Sequence, residues 1–511
     1  MARPAPTRQD LFAAGVAKAQ AGQLAEALRL FERAGGKRPG AAVLNAVAIT
    51  RKRMGDLDGA RKAYDQALRQ EPDNPDLLYN LAKLEMDSSR PSRAVSLLER
   101  SLAIRANASA WKNLGVCRLD LEDSLGAVGA FMDCARLSPG DPVPLSYAGA
   151  AWQQAGDLTK AEEAHAQALA LQDGNPEILN NLGSTRLLQR RLAEAEAAFR
   201  RAIEIWPDYA EAHYGLAWVL LHEKRFAEGW REWEWRLKRR RFSEPPPSAP
   251  LWDGQPFAGT LVVHSEIGFG DSINFSRFLP LARARCDRVV FACQPPLVRL
   301  LTPSFPGIEI VADDKPRPKG DRFCYVMSLP SYFVHSEADI SGRPYLTPPP
   351  GVSFDLGPDD GRRKVGVCWS STRKGIDPHR FLSAERFAAA ILQDCPKARF
   401  FSLQKGLATD DKRAVTALAT DLEPRLSDFA DTAAAIAGLD LVVTVDTGVA
   451  HLAGALGVPS LVMLHHGADW RWFAAPTCPW YQGARLFRQP APGQWDPVLA
   501  RMRAALDDFL A

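Results

Sequence analysis

Residues 111–139 read WKNLGVCRLDLEDSLGAVGAFMDCARLSP, and their spacing decides how the first half of the chain folds. Trp111 leads to Leu114 and Gly115, Ala127 and Phe131 follow, and Pro139 closes the stretch. The same order returns at a fixed interval. Gly115, Gly149 and Gly183 lie 34 apart, as do Ala127, Ala161 and Ala195, and the bulky positions Phe131, His165 and Phe199 keep that step. Pro39, Pro72, Pro139 and Pro207 are separated by 33, 67 and 68. Two helices joined by a short turn fit one period. Small Gly and Ala let the helices approach, the large residue fills the space between them, and Pro ends the second helix. One such hairpin cannot bury its apolar face alone, so the units must stack.

The order W-x2-L-G, A-x3-F, P is that of a tetratricopeptide repeat. Units begin near residues 8, 41, 75, 108, 142, 176 and 210, the third departing from the pattern at Ser101 and Ala106. The seventh starts regularly at Ala210 and His213 but runs into Phe226, Trp230, Trp233 and Trp235, more aromatic residues than a repeat needs, and reads as a junction helix. A stacked array presents a concave groove that suits an extended peptide or partner protein. The bland alternative is that the array only joins two parts of the chain.

The 511 residues are 46% hydrophobic and 24% charged, enough for several cores. Lys and Arg number 63 against 60 Asp and Glu, so the net charge of +3 gives no general reason to expect nucleic acid as a partner. The dense basic run holds Arg236, Lys238, Arg239, Arg240 and Arg241. It reads as a solvated helix face against the next domain, because no aromatic RNA-binding motif accompanies it. Pro245, Pro246, Pro247 and Pro250 cannot continue a helix, which predicts a repeat array over 1–242 and a linker over 243–250. The eight cysteines never fall into CxxC spacing and read as reduced thiols. No signal-like apolar core or uninterrupted apolar span occurs, so the expectation is a cytoplasmic chain with no membrane span.

From residue 251 short β-branched runs alternate with helix-length segments. The expected strands are 260–264, 288–293, 308–311 and 324–327, then 364–369, 398–402, 441–445 and 460–464. Apolar runs separated by helices imply parallel, doubly wound sheets. A Pro-rich hinge, 342–351, divides the two series, which predicts one domain over 251–350, a second over 351–511, and ligands at the carboxyl ends of the strands. The fold class expected is therefore α + α/β, a repeat solenoid followed by twin parallel-sheet domains.

Two motifs stand at those strand ends. Glu266, Gly268, Gly270, Asp271 and Ser272 follow the first strand and open a helix, where two glycines let backbone approach a ligand. This is neither a GxGxxG fingerprint nor a Walker A loop, which argues against dinucleotide oxidoreductase and P-loop chemistry. Asp446, Thr447, Gly448 and His451 follow the strand 441–445 and open another helix. Strand, Asp-Thr-Gly, then helix is a phosphate-binding arrangement, with first-turn amides aimed at the anion, a Thr447 hydroxyl beside them and His451 on the adjoining turn.

Thr447-Gly448-x-x-His451 preceded by Asp446 resembles the donor-phosphate motif of the bacterial heptosyltransferase family, of GT-B fold, and Gly270-Asp271 resembles the Gly-Asp after that family's first strand. Repeats followed by such a region resemble the O-linked N-acetylglucosamine transferases and the bacterial repeat-fused glycosyltransferases, including those that modify flagellin. The likeness spans about 8–240 and 260–490, and includes Asp428, Asp431, Asp469, Trp470, Arg471, Trp472, Pro479, Trp480 and Tyr481. It implies transfer of a sugar from a nucleotide-sugar donor. Asp271 would be the general base for an acceptor hydroxyl, and Thr447, Gly448 and His451 would hold the leaving diphosphate. The back half lacks an Asp-x-Asp pair, so metal-free stabilisation is expected and no cofactor beyond the donor. Ser370, Arg373 and Lys374 follow the strand 364–369 and are candidates for the donor phosphates; Gln404, after 398–402, is one for the base or ribose. Trp470 and Trp472 are expected to pack a core rather than stack on a base.

The leading reading is a glycosyltransferase whose repeat groove recruits a protein acceptor, with flagellin among those the resemblance implies. The alternatives are a lipid or saccharide acceptor, and a non-catalytic scaffold that keeps the fold without the activity.

Overall fold

The computed structural model describes residues 6–239, 249–266, 268–314, 316, 318–370 and 382–511. Arg240, Arg241, most of the 243–250 linker, Arg373 and Lys374 lie outside the described residues. The chain divides by packing into Met1–Asp173 and Gly174–Ala511.

Met1–Asp173 is a run of helical hairpins. Helix α1 (Arg8–Gln20) pairs with α2 (Leu24–Gly35), α3 (Ala41–Arg53) with α4 (Leu57–Gln70), and α5 (Pro75–Asp87) with α6 (Pro91–Ile104). Two further pairs are α7 (Ala108–Asp120) with α8 (Ser124–Leu137) and α9 (Val143–Ala155) with α10 (Leu158–Leu171). Each first helix starts within one residue of the place the period predicts. Asn74 and Asn107 accept first-turn amides as N-caps of the first helices α5 and α7, and Asp123 and Asp157 do so for the second helices α8 and α10. The 34-residue echo is a steric pairing: a Cβ on Gly115 would lie 2.5 Å from the Phe131 ring, and one on Gly149 2.5 Å from His165.

His165 is fully buried, neither ring nitrogen has a hydrogen-bond partner, and burial pulls its pKa down to about 4. The unfolded chain takes a proton near pH 6.5 and the folded one only near 4. Stability is therefore lost as pH falls through that window, by about 3 kcal/mol at the limit. His165→Phe, which restores the ring of the neighbouring repeats, should stabilise the array by about 1–2 kcal/mol at pH 7. It should also remove this pH slope in denaturant titrations; an unchanged slope would assign it to other groups.

Gly174–Ala511 opens with α11 (Pro176–Leu188), α12 (Leu192–Ile205), α13 (Ala210–His222) and α14 (Phe226–Trp233). A first α/β layer follows: β1 (Thr260–His264), α15 (Phe269–Phe275), α16 (Leu279–Arg283), β2 (Arg288–Cys293), α17 (Pro295–Ser304), β3 (Glu309–Ala312), β4 (Arg322–Tyr325) and α18 (Leu329–Phe333). Its sheet is parallel, in the order β3-β2-β1-β4.

The second layer begins with β5 (Arg363–Cys368), α19 (Ala384–Phe387), β6 (Ala398–Ser402), α20 (Thr409–Thr416), β7 (Ala419–Asp421) and α21 (Phe429–Ala437). It ends with β8 (Leu441–Val445), α22 (Gly448–Leu456), β9 (Ser460–Leu464), β10 (Thr477–Cys478), β11 (Tyr481–Arg488) and α23 (Asp496–Leu510). The order is β10-β11-β9-β8-β5-β6-β7, parallel except where β10 meets β11.

The surplus tryptophans of the last hairpin are explained by what they touch. Trp230 Nε1 donates to the Val334 carbonyl (2.8 Å) and Trp233 Nε1 to that of Met327 (3.1 Å). Both rings meet Trp470 edge-on, at 5.4 and 5.8 Å between centroids. Within the basic run Arg236 departs from a solvated face. Arg236 is buried, with Nε 2.9 Å from Glu266 and Nη1 2.7 Å from Glu234; Arg239 pairs with Glu211, and Lys238 lies over the Trp235 ring. A buried guanidinium needs such paired carboxylates, and Arg236 is spent on the joint to the α/β layers through Glu266 and Ser328.

Candidate functional site

The two α/β layers are held together by two arginines, one half-buried and one exposed. Arg277 donates to the Ser341 and Trp480 carbonyls (2.7 and 2.9 Å), and Arg299 of α17 pairs with Asp428 (2.8 Å) and Asp431 at the start of α21. Helix α15 consequently packs against α22, and the two sequence motifs meet. A Cβ on Gly270 would stand 2.7 Å from His451 Cδ2, and one on Gly448 would lie 3.9 Å from the Gly270 amide nitrogen. Gly270 is needed because any side chain there would displace the histidine ring.

In the seven-stranded sheet the strand order reverses between β5 and β8, and a crevice outside the carboxyl ends of such strands is where ligands sit in doubly wound folds. Thr447 holds the N-cap position of α22, yet its hydroxyl faces the Val445 carbonyl (3.3 Å) and Thr444 Oγ1 (3.3 Å) instead of capping. Among the described residues the Gly448 and Val449 amides therefore have no acceptor, and they carry the positive end of the helix dipole.

His451 is buried, its ring parallel to Trp472 at 5.1 Å, with Nδ1 2.9 Å from Tyr481 Oη. Burial pulls its pKa down to about 4, and burial likewise holds the Tyr481 phenol protonated. The Tyr481 hydroxyl can donate to Nδ1, which leaves the ring proton on Nε2, on the side of Gly270. His451 is thus a neutral imidazole in the crevice, able to donate through Nε2.

Asp271 lies in the first turn of α15, with Oδ1 2.9 Å from Arg471 Nη2. Arg471 also forks onto Asp469 (2.8 and 2.9 Å) and sits over the rings of Trp470 and Phe275. Burial alone would lower its pKa, but Asp469 and Asp271 outweigh that and hold the guanidinium firmly charged. Sequence reasoning named Arg471 only as part of a motif; a cation between two tryptophans was the available signal that it is buried and paired. Trp470 and Trp472 are buried in the core, as expected.

The remaining candidates divide. Ser370 is half-buried beyond β5. Gln404, the candidate for the base or ribose, is 3% exposed, its Oε1 accepts from the Ser370 amide (3.0 Å), and its Nε2 donates to the Lys405 carbonyl (3.3 Å). It holds the end of β5 in place. Glu266, quoted with the first motif, is likewise spent on Arg236 and the Met327 amide. Among the described residues no three His, Cys, Asp or Glu gather as metal ligands, and no helix is long and apolar enough to cross a membrane.

Comparison with known families matches tetratricopeptide repeats over residues 53–115, 148–210 and 182–240, and glycosyltransferase family 9 (heptosyltransferase) over 397–467, which contains Asp446–His451. Repeats joined to a segment of that kind are the arrangement of a repeat-fused glycosyltransferase. Among relatives, Protein FlbA of Caulobacter vibrioides is 27% identical over 97% of this chain and 83% of its own length. The human Protein O-mannosyl-transferase TMTC3 is 25% identical over 34% of this chain and only 20% of its own. Solved structures with related helical arrays include the MamA protein (TM-score 0.32, 23% identity, 34% of this chain and 94% of that one). Another is part of a tetratricopeptide-repeat protein from Cytophaga hutchinsonii (TM-score 0.38, 14% identity, 46% and 96%).

Proposed function

We propose that this chain is a GT-B glycosyltransferase that moves a sugar from a nucleotide-sugar donor to a hydroxyl of a protein acceptor recruited by its repeats. The observation that carries the reading is the meeting of Gly270-Asp271 with Thr447-Gly448-x-x-His451 at the carboxyl ends of two parallel sheets. The diphosphate leaving group gathers negative charge as the glycosidic bond to it breaks. Free amides of Gly448 and Val449 and the Nε2–H of His451 are suited to bind that charge without a metal. Asp271 supplies a carboxylate on the facing wall, where it takes the acceptor proton as the oxygen attacks the anomeric carbon. Arg471 fixes that carboxylate in position. Ser370, Asp446 and Thr447 border the donor, with Arg373 and Lys374 as further candidates for its phosphates.

A protein acceptor is favoured over a lipid or a free saccharide because the chain invests its first half in stacked repeats, which a small acceptor does not require. The name of the human relative, a protein O-mannosyl-transferase, agrees with this choice. Flagellin is the acceptor we would try first, in a cytoplasmic setting.

A panel of nucleotide sugars tested by thermal shift and calorimetry checks the donor site. At least one should bind, and Tyr481→Phe should weaken it about five- to tenfold, since losing one hydrogen bond that sets the His451 tautomer is worth about 1 kcal/mol. Binding unchanged in both Tyr481→Phe and His451→Phe would move the phosphate site elsewhere.

A further inference from the structure

The turn between the two helices of each repeat passes through a left-handed residue. In Met1–Asp173 these are Gly22, Gly55, Ser89, Glu122 and Gly156; in Gly174–Ala511 they are Arg190 and Lys224, each with φ 61°. Glycine adopts this conformation without strain, whereas Arg and Lys do so at a cost, so their side chains invite an explanation. Lys224 has one, a salt bridge to Glu337. Arg190 does not: its Nη1 is buried with no hydrogen-bond partner.

The neighbours of Arg190 are themselves cationic or neutral. Leu188, two residues before it, touches the loop that follows β9: a Cβ on Gly467 would lie 3.4 Å from the Leu188 carbonyl oxygen. The same loop offers the His466 carbonyl to Arg488 Nη1 (3.5 Å), and Arg488 Nη2 donates to the Phe473 carbonyl. Neither Arg190 nor Arg488 has a carboxylate within 4.0 Å among the described residues. Burial lowers the pKa of both, and Arg190 lowers that of Arg488 further, to about 9. His222 and His466 face the pair and are held neutral, chiefly by burial. Asp446 and Asp469 act on Arg488 only from a distance, and Asp469 is already engaged by Arg471.

The pair also lies where ligands are expected. Arg488 ends β11 opposite Leu464 of β9, and Met463 of β9 is opposite Val445 of β8. Arg488 is thus at the carboxyl edge of the sheet, two strands from the Asp446 motif, or about 10 Å along the sheet. Two partly buried guanidinium groups with no counter-ion are costly, and a bound dianion removes that cost.

We propose that Arg190 and Arg488 form a second anion site at the carboxyl edge of the seven-stranded sheet, one arginine supplied by a repeat turn and the other by β11, and that it takes a phosphoryl group. A phosphoryl group carries up to two negative charges and presents oxygens that guanidinium forks match, whereas a carboxylate would leave one arginine unbalanced. The site goes beyond the donor reading and stands whether or not a sugar is transferred.

The test uses the full chain, with inorganic phosphate as probe and acetate as control, followed by thermal unfolding and calorimetry. Phosphate should raise the melting temperature of the wild type and acetate should not. Arg190→Gln and Arg488→Gln should each weaken phosphate binding at least tenfold. Without phosphate, Arg190→Gln should melt no lower than the wild type, because a like charge has been removed. His451→Phe should keep the phosphate response. Wild-type phosphate affinity in either Arg variant, equal binding of acetate, or a lower melting temperature of phosphate-free Arg190→Gln would overturn the proposal. A missing nucleotide-sugar response beside an intact phosphate response would instead count against the donor site alone.

Discussion

Asp271→Asn should lower sugar transfer by about 10³-fold while leaving donor affinity within about threefold. The substitution keeps the size of the side chain and a hydrogen-bond acceptor 2.9 Å from Arg471, but removes the negative charge that receives the acceptor proton. In the proposed site the donor is bound by the facing helix, at Gly448, Val449 and His451, and not through this group. The split between kcat and donor affinity therefore separates loss of a base from loss of a fold. Arg471→Met is the harsher change, since it leaves Asp469 and Asp271 without their shared cation; it should reduce activity and cost about 3 kcal/mol of stability as well. Full turnover in Asp271→Asn would take the base role away from this residue.

The second large effect concerns the repeats, and the place of truncation matters. A chain starting at Gly174 should still bind nucleotide sugar with near wild-type affinity, yet modify a protein acceptor at least about 100-fold more slowly, because the lost hairpins supply docking area rather than chemistry. A chain starting at residue 208 should fail more generally. It lacks α11 and α12, so the Leu188 contact with Gly467 disappears and the Phe199 ring, which lies against Gly215 of α13, is removed from the core. Parallel assays of donor binding and protein labelling check both. Equal labelling by the full chain and the Gly174 chain would favour a small acceptor.

Much of this architecture is legible in the residues, for identifiable reasons. The Gly115 and Phe131 pairing recurs with its period because one missing side chain accepts one ring, a local relation that spacing can show. Strands 260–264, 288–293, 398–402, 441–445 and 460–464 are found as read, since buried parallel strands are continuous apolar runs. Strand β11 escapes that logic: Tyr481–Arg488 mixes buried and exposed positions without a regular period and contains Gly483 and two arginines. The two candidate motifs are visible because each follows a strand. Their partners are not, because Arg471, Tyr481 and Gln404 act through contacts between distant segments, and burial rather than residue type decides whether an amide or a guanidinium meets ligand or protein. Periodicity alone also groups α11–α14 with the repeats, whereas Trp230 and Trp233 tie that end of the array to the α/β layers.

A crystal structure of the full chain with a bound nucleoside diphosphate would test the central claim most directly. The account predicts terminal phosphate oxygens about 3 Å from the Gly448 and Val449 amide nitrogens and from His451 Nε2, with Asp271 on the opposite wall. A diphosphate seated away from the start of α22, with those amides still unoccupied, would contradict it.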